Sequence, residues 1–274
     1  MSRQASITAY LLLAIAIFLM AGPILWMVTT SFKPAAEITA APYEFLPEQW
    51  RAENYRDAIA TLSLGRCLTS SLVLCVGSVL GTLTSCSVVA YGFARLRWPG
   101  RDLVFGIVIA TMLLPWQATM IPRFLLIREL GLYNSLAALI VPTFFGDAFY
   151  IFLFRQFFRN IPQELIDAAH TDGCGEWTIL WRIVLPLSMP AVATVALLQF
   201  VAAWNDYGGP LLYLSDPQKF PLAYGLEQFV SSHSSETNLL MAAALLFTLP
   251  IVALFLLTQR TFLRGIVTTG LKDS

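Results

Sequence analysis

The sequence predicts an all-α integral membrane protein with six transmembrane helices, and three observations lead there. Hydrophobic residues make up 57% of the 274-residue chain and charged residues only 12%; a soluble globular domain carries roughly twice that charged share. Mean hydropathy is +0.68. The apolar residues also run in uninterrupted blocks rather than in periodic stripes, the pattern of segments surrounded by lipid. Six blocks are long enough to cross about 30 Å of hydrocarbon at about 1.5 Å per helical residue. They are residues 7–30, 68–91, 103–121, 135–154, 187–203 and 239–258, and they are expected to form one transmembrane domain over 1–274.

The first block follows Arg3 as a secretory signal would, but it is longer than a signal core and contains Pro23 and Trp26. It reads as a retained span, with a cleaved signal as the alternative. Basic residues orient the chain. With the N-terminus in the cytoplasm, the inner segments hold Arg3, Arg95, Arg97, Arg101, Arg155, Arg159, Arg182, Arg260, Arg264 and Lys272. The outer segments hold Lys33, Arg51, Arg56, Arg66, Arg123, Arg128 and Lys219. The inner residues sit at span ends, so the bias sharpens near the membrane. Both termini are therefore expected in the cytoplasm.

Residues 31–67 form the first outer loop, broken by Pro34, Pro42 and Pro47, with 54–60 able to form an amphipathic surface helix. In the second span Gly77 and Gly81 make a small-xxx-small pair with Ser85 one turn on. That pair either packs against a neighbouring helix or is simply tolerated. Residues 90–103 form a tight turn. Pro115 is expected to kink the third span, Pro122 to mark its outer end, and an interfacial helical turn to finish at Gly131. Asp147 is a carboxylate within a span, either part of a relay or facing a partner subunit or water-filled cavity. Residues 204–212, WNDYGGPLL, follow the fifth span, and an aromatic belt with glycine turns accounts for them.

The stretch 161–190 stands apart, because it is polar and long between two apolar blocks. Pro162 suits the first position of a helix, and Glu164 and Asp167 suit the positive end of its dipole. A short helix is expected over 163–171, closed by Gly173, Cys174 and Gly175, since glycine takes the left-handed conformation that ends helices. Trp177, Leu180, Trp181 and Val184 then fall at i, i+3, i+4 and i+7, one apolar stripe. Pro186 and Pro190 lead into the next span. The result is a helix–elbow–helix hairpin outside the hydrocarbon.

Within it, Asp167-Ala168-Ala169, then Asp172-Gly173, then Ile183-Val184-Leu185-Pro186 resemble the EAA loop of ABC importer permeases, whose pattern is roughly E-A-A-x-x-x-G-A, a spacer, then I-x-L-P. Asp167 replaces the usual Glu and shortens its reach; Cys174 replaces Ala, and Leu180 a common Phe. The turn AYGFARLRWPGR at 90–101 is similar to that of the carbohydrate-importer branch, the MalG-like subunits. SFKP at 31–34, ENYRDAI at 53–59, the helical turn over 123–132, WNDYGGPLL and FPLAYGL at 220–226 continue the resemblance. It implies a type I ABC importer (MetI/MalG-like) permease fold and a transport subunit of a binding-protein-dependent sugar importer. The family assigns 161–190 to docking on the ATPase, which places Glu164, Asp167, Ala168, Ala169, Asp172, Gly173, Cys174, Ile183, Leu185 and Pro186 in that role. It assigns the 204–226 region to the translocation path and the binding-protein contact. The implied partners are a second, MalF-like permease, two copies of an ABC ATPase that carry the ATP and Mg, and an extracytoplasmic solute-binding protein. The implied setting is a bacterial or archaeal inner membrane.

No Walker-type glycine loop is present, so the chain is not expected to bind ATP or to be an enzyme. The scattered cysteines Cys67, Cys75, Cys86 and Cys174 show neither a disulfide frame nor metal spacing. His170 and His233 have no motif partner. Net charge is zero, and basic residues at membrane edges give no nucleic-acid footprint. No residue is identifiable as a solute ligand. A polyol or glycerol phosphate is the alternative cargo. An ion-coupled carrier would need paired buried charges and inverted repeats, and a scaffold without transport would leave the DGxG elbow and the IxLP exit unexplained.

Overall fold

The computed structural model describes residues 3–61, 63–232 and 236–270, with side chains described at 10–61, 63–231, 236–256 and 258. His233, Lys272 and the side chains of Arg3, Arg260 and Arg264 therefore lie outside the described residues. All regular structure among the described residues is helical. In chain order the helices are α1 (Arg3–Ser31), α2 (Ala35–Ala40), α3 (Glu53–Thr61), α4 (Leu64–Ala94), α5 (Arg101–Ala110) and α6 (Trp116–Glu129). They continue with α7 (Ala137–Ile140), α8 (Ala148–Arg159), α9 (Gln163–Thr171), α10 (Glu176–Ile179), α11 (Leu185–Leu187) and α12 (Met189–Trp204). The last three are α13 (Gly208–Tyr213), α14 (Leu222–Ser232) and α15 (Thr237–Gly270).

Three stretches are each long and apolar enough to cross a membrane alone: Tyr10–Ser31, Leu64–Ala94 and Thr237–Leu256. Three bent pairs raise the count to six if each pair is one span. The third block is not a kinked helix but a broken one. Arg101–Leu113 and Trp116–Glu129 meet at 100°, because Pro115 forces Leu114 out of the helical region (ψ 118°) and itself opens α6 (ψ 142°). Pro122 marks no end; it sits inside α6. The helix closes where expected, at Gly131 (φ +70°). There the amides of Leu132 and Gly131 reach back to the carbonyls of Ile127 and Arg128 at 3.0 and 3.1 Å, a Schellman ending. The fourth block breaks at Gly146, with a 41° bend between Ala137–Phe145 and Ala148–Arg159. Asp147 is exposed and pairs with no other charge among the described residues. It caps α8, its Oδ1 accepting from the amides of Phe149 at 2.9 Å and Tyr150 at 3.4 Å.

Contacts divide the chain into two compact units, Met1–Gly65 with Gly225–Pro250, and Arg66–Tyr224 with Ile251–Ser274. In the first, SFKP and ENYRDAI form a polar knot at the end of α1. Buried Asn54 donates to the carbonyls of Ser31 (2.8 Å) and Lys33 (2.9 Å) and accepts from Asn238 (3.1 Å). Carbonyls that the helix end leaves open thereby gain partners. Lys33, counted above as an outer-loop charge, is only 2% exposed. Its ammonium donates to the Glu44 carbonyl, lies 4.0 Å from the Glu37 carboxylate and sits over the Trp26 ring. Below the knot Ala58 packs with Phe229, Ala242 and Ala243.

In the second unit the glycine pair of α4 is a packing face. A Cβ on Gly81 would fall 2.1 Å from Thr143 Oγ1, and one on Gly77 would fall 2.9 Å from the Ile140 side chain. Ser85 Oγ donates to the Thr143 carbonyl at 2.9 Å. At the far end, Asn134 (φ +57°) takes the left-handed conformation that asparagine tolerates. Its Oδ1 accepts from the amides of Ser215 (3.1 Å) and Asp216 (3.0 Å), and Lys219 Nζ donates to its carbonyl at 2.8 Å. In WNDYGGPLL, Trp204 is buried and stacks on Phe200, while Asp206 accepts from the Gly209 amide at 3.0 Å.

Two outcomes follow for this unit. Gly81→Leu should destabilise it by about 1–3 kcal/mol through overpacking, read as a lower unfolding midpoint in mild detergent. Gly106→Leu, where a Cβ meets nothing within 4 Å, should be neutral; equal midpoints for the two variants would contradict the packing assignment. Burial raises the Asp206 carboxyl above its ordinary value, and the amides of Gly209 and Gly208 only partly offset this. The folded state therefore holds the proton more tightly than the unfolded one. The charge costs stability as pH rises from the unfolded pKa through the folded one. Asp206→Asn keeps an acceptor oxygen and should raise the neutral-pH midpoint, with the gap closing in acid; a lower midpoint at neutral pH would contradict it.

Candidate functional site

The 161–190 stretch folds as the expected hairpin. α9 covers Gln163–Thr171, the expected bounds. Pro162 is the N-cap (φ −53°, ψ 135°) rather than the first helical residue. The elbow is another Schellman ending, because Gly173 has φ +79°. The Cys174 amide reaches the Ala169 carbonyl at 2.9 Å and the Gly173 amide the His170 carbonyl at 3.0 Å. A Cβ on Gly173 would meet nothing within 4 Å, so the elbow opens outward.

The returning arm is irregular. α10 passes into a π-helical turn at Leu180–Val184 and then α11. This arm joins α12 at an 82° bend. Pro186 and Pro190 each lack the amide that a regular helix would direct at the fourth carbonyl back. The anticipated stripe is split. Leu180 and Val184 are buried beside Ile179, whereas Trp177 is 64% and Trp181 49% exposed. The buried side packs against small residues such as Ala169 and Ala191. Indoles are bulky and carry an N–H that wants a polar partner, so they lie at the margin instead.

The residues expected in docking divide by face. Glu164, Asp167, Ala168, Asp172 and Gly173 are exposed, as is Pro186 at the bend. Ala169 is 6% exposed. It belongs to a core with Ile166, Phe154, Phe158 and Val195, against which Cys174, Ile183 and Leu185 also pack. The first group forms a surface and the second fastens that surface to the ends of α4, α8 and α12.

Polar contacts lock the hairpin, and sequence reasoning missed most of them. Arg95, one residue beyond α4, donates to the carbonyls of Phe158 and Ile161 and, at 3.0 Å, to Gln163 Oε1. Gln163 Nε2 in turn donates to Asp167 Oδ1 at 3.0 Å. Tyr91 donates to Glu176 Oε2, and the other oxygen of that carboxylate lies 3.6 Å from His170 Nε2. His170, which had no evident partner in the sequence, thus bridges the arms across the elbow. Arg155 donates to the Phe93 carbonyl at 3.3 Å with its guanidinium over the Phe105 ring. The available signal was the ARLR turn beside the second span, read only as a turn. No group of His, Cys, Asp and Glu able to hold a metal occurs among the described residues.

Residues 77–267 match the family described as binding-protein-dependent transport system inner membrane component. The chain is 30% identical over 251 residues to a diacetylchitobiose uptake system permease protein of Streptomyces coelicolor, covering 90% of this chain and 82% of that protein. It is 31% identical over 273 residues to an sn-glycerol-3-phosphate transport system permease protein of Brucella abortus, covering 96% of each. In three dimensions it superposes on a chain of a bacterial ABC transporter involved in import of the acidic polysaccharide alginate. That match has TM-score 0.85 at 26% identity and covers 96% of this chain and 99% of the other. Helices of spanning length, a fastened polar hairpin and these matches lead to one conclusion: the chain belongs to the inner-membrane components of binding-protein-dependent transport systems and is an ABC transporter permease subunit.

Proposed function

We propose that this permease forms half of the translocation pathway of an ATP-driven importer for a sugar or oligosaccharide, and that its 161–190 hairpin docks on a separate ATPase. The single observation that carries the docking role is the hairpin's two-sidedness. Glu164, Asp167, Ala168, Asp172 and Gly173 face out, while Arg95, Tyr91 and the apolar core hold the other side to the span ends. A surface mounted in this way moves with α4, α8 and α12. ATP binding can shift the pathway between inward- and outward-facing states only if the docked contacts differ between them. Gln163 Nε2 holds the Asp167 carboxylate in place on the outward face.

The hairpin and both termini then lie in the cytoplasm of a bacterial or archaeal cell. A second permease completes the pathway, two ATPase copies supply ATP and Mg, and a solute-binding protein delivers cargo outside. The diacetylchitobiose and alginate systems support a saccharide. The Brucella relative, at similar identity, supports glycerol phosphate as the second reading.

Gly173→Arg tests the docking role. The left-handed backbone costs a side chain only about 1–2 kcal/mol, so the protein should insert and fold. The new side chain would occupy the space the ATPase needs. In cells expressing the whole transporter, uptake across a panel of oligosaccharides and sn-glycerol 3-phosphate should fall about tenfold or more, and the ATPase should no longer co-purify with the permease. Tyr91→Phe should weaken the same coupling more mildly. Unchanged uptake in Gly173→Arg would overturn the assignment.

A further inference from the structure

The turn between α4 and α5 does two jobs. Arg95 holds the hairpin, and the residues after it line a groove of about 400 Å³, among them Arg97, Trp98, Gly100 and Arg101. Arg97 is exposed and makes no hydrogen bond or ion pair with any described residue. The only carboxylate in the groove, Asp102, is shared between Arg101 at 3.2 Å and Arg155 at 3.5 Å. The groove therefore keeps a positive excess. The Trp98 indole, pinned by an N–H bond to the Gly92 carbonyl at 3.2 Å, is 37% exposed, the placement of an aromatic at a membrane interface. Gly100 (φ +82°) leaves the backbone open there, since a Cβ would meet nothing within 4 Å. Leu103 (72% exposed) closes the groove, and Val104 (40%) and Ile107 (58%) follow it on α5, an apolar strip leading into the hydrocarbon.

We infer that this groove binds an anionic phospholipid of the leaflet on the hairpin's side, with Arg97 and Arg101 on the phosphodiester and the acyl chains along Leu103 and Ile107. A basic pocket at a span end suits an anionic headgroup, and guanidinium groups give phosphate charge-assisted hydrogen bonds. The apolar strip favours a lipid over a soluble anion, which would gain nothing from it. The inference rests on the spans lying in lipid and not on the solute carried.

The test uses the full chain in nanodiscs of phosphatidylcholine with a minority of phosphatidylglycerol, and native mass spectrometry counts the retained lipids. Arg97→Gln and Arg101→Gln should each lower phosphatidylglycerol retention about fivefold without changing phosphatidylcholine retention. Arg128→Gln, an exposed arginine on α6, should leave both unchanged. Arg97 pairs with nothing, so its substitution leaves the fold intact and decides the matter even if Arg101→Gln unfolds. Wild-type phosphatidylglycerol retention in Arg97→Gln would overturn the proposal. So would displacement of the lipid by millimolar inorganic phosphate.

Discussion

Arg95 is the residue on which the arrangement of the second unit turns. Its guanidinium donates to the carbonyls of Phe158 and Ile161, where α8 ends and the hairpin begins. Oxygens at a helix end otherwise need water or a cap, and here they are partly enclosed by a core of Phe154, Phe158 and Ile166. Enclosure lowers the guanidinium pKa, with the nearby Tyr91 partly opposing the shift, and arginine remains charged regardless. A half-buried cation stripped of those carbonyls would be costly, so α4, α8 and the first arm are held in one register. Tyr91 and Glu176 do the same for the second arm.

The hairpin is thereby a stiff projection rather than a loop. Its elbow is fixed by a Schellman ending and its arms by Ile179, Leu180 and Val184. The spans around it are the opposite in character. Two are broken, at Pro115 and at Gly146, where the backbone loses a helical hydrogen bond or takes a positive φ, and a third sharp bend at Ser188 joins the hairpin's second arm to α12. A stiff exposed hairpin beside broken spans is the arrangement that the proposed docking role would use.

How much of this was legible in the sequence depended on the reach of the interaction. Length and hydropathy found the apolar blocks, because burial in lipid acts residue by residue. Local turn chemistry found the hairpin and the endings at Gly131 and Gly173, since a left-handed residue announces itself as glycine. Proline signals were read only in part. Pro115 breaks the third span by 100° instead of kinking it, and Pro122 ends nothing. What escaped was long-range. Lys33, Asn54, Arg95 and Glu176 look like solvated polar residues until the chain brings carbonyls or a tyrosine to them. Asp147 looked like an intramembrane charge because the helix break that turns it into a cap was invisible. The split of the residues expected in docking into outward Asp167 and Ala168 and inward Ala169 follows from a core that only the tertiary structure contains.

The central claim is that this permease works as part of a larger machine through its exposed hairpin face. The most direct measurement is to tag the chain at its C-terminus, extract it from its native membrane in mild detergent, and identify the co-purifying chains by mass spectrometry. The account predicts an ATPase with a P-loop and a second multi-span permease, with the ATPase lost and the second permease kept in the Gly173→Arg variant. Recovery of the chain alone, or only with further copies of itself, would contradict it.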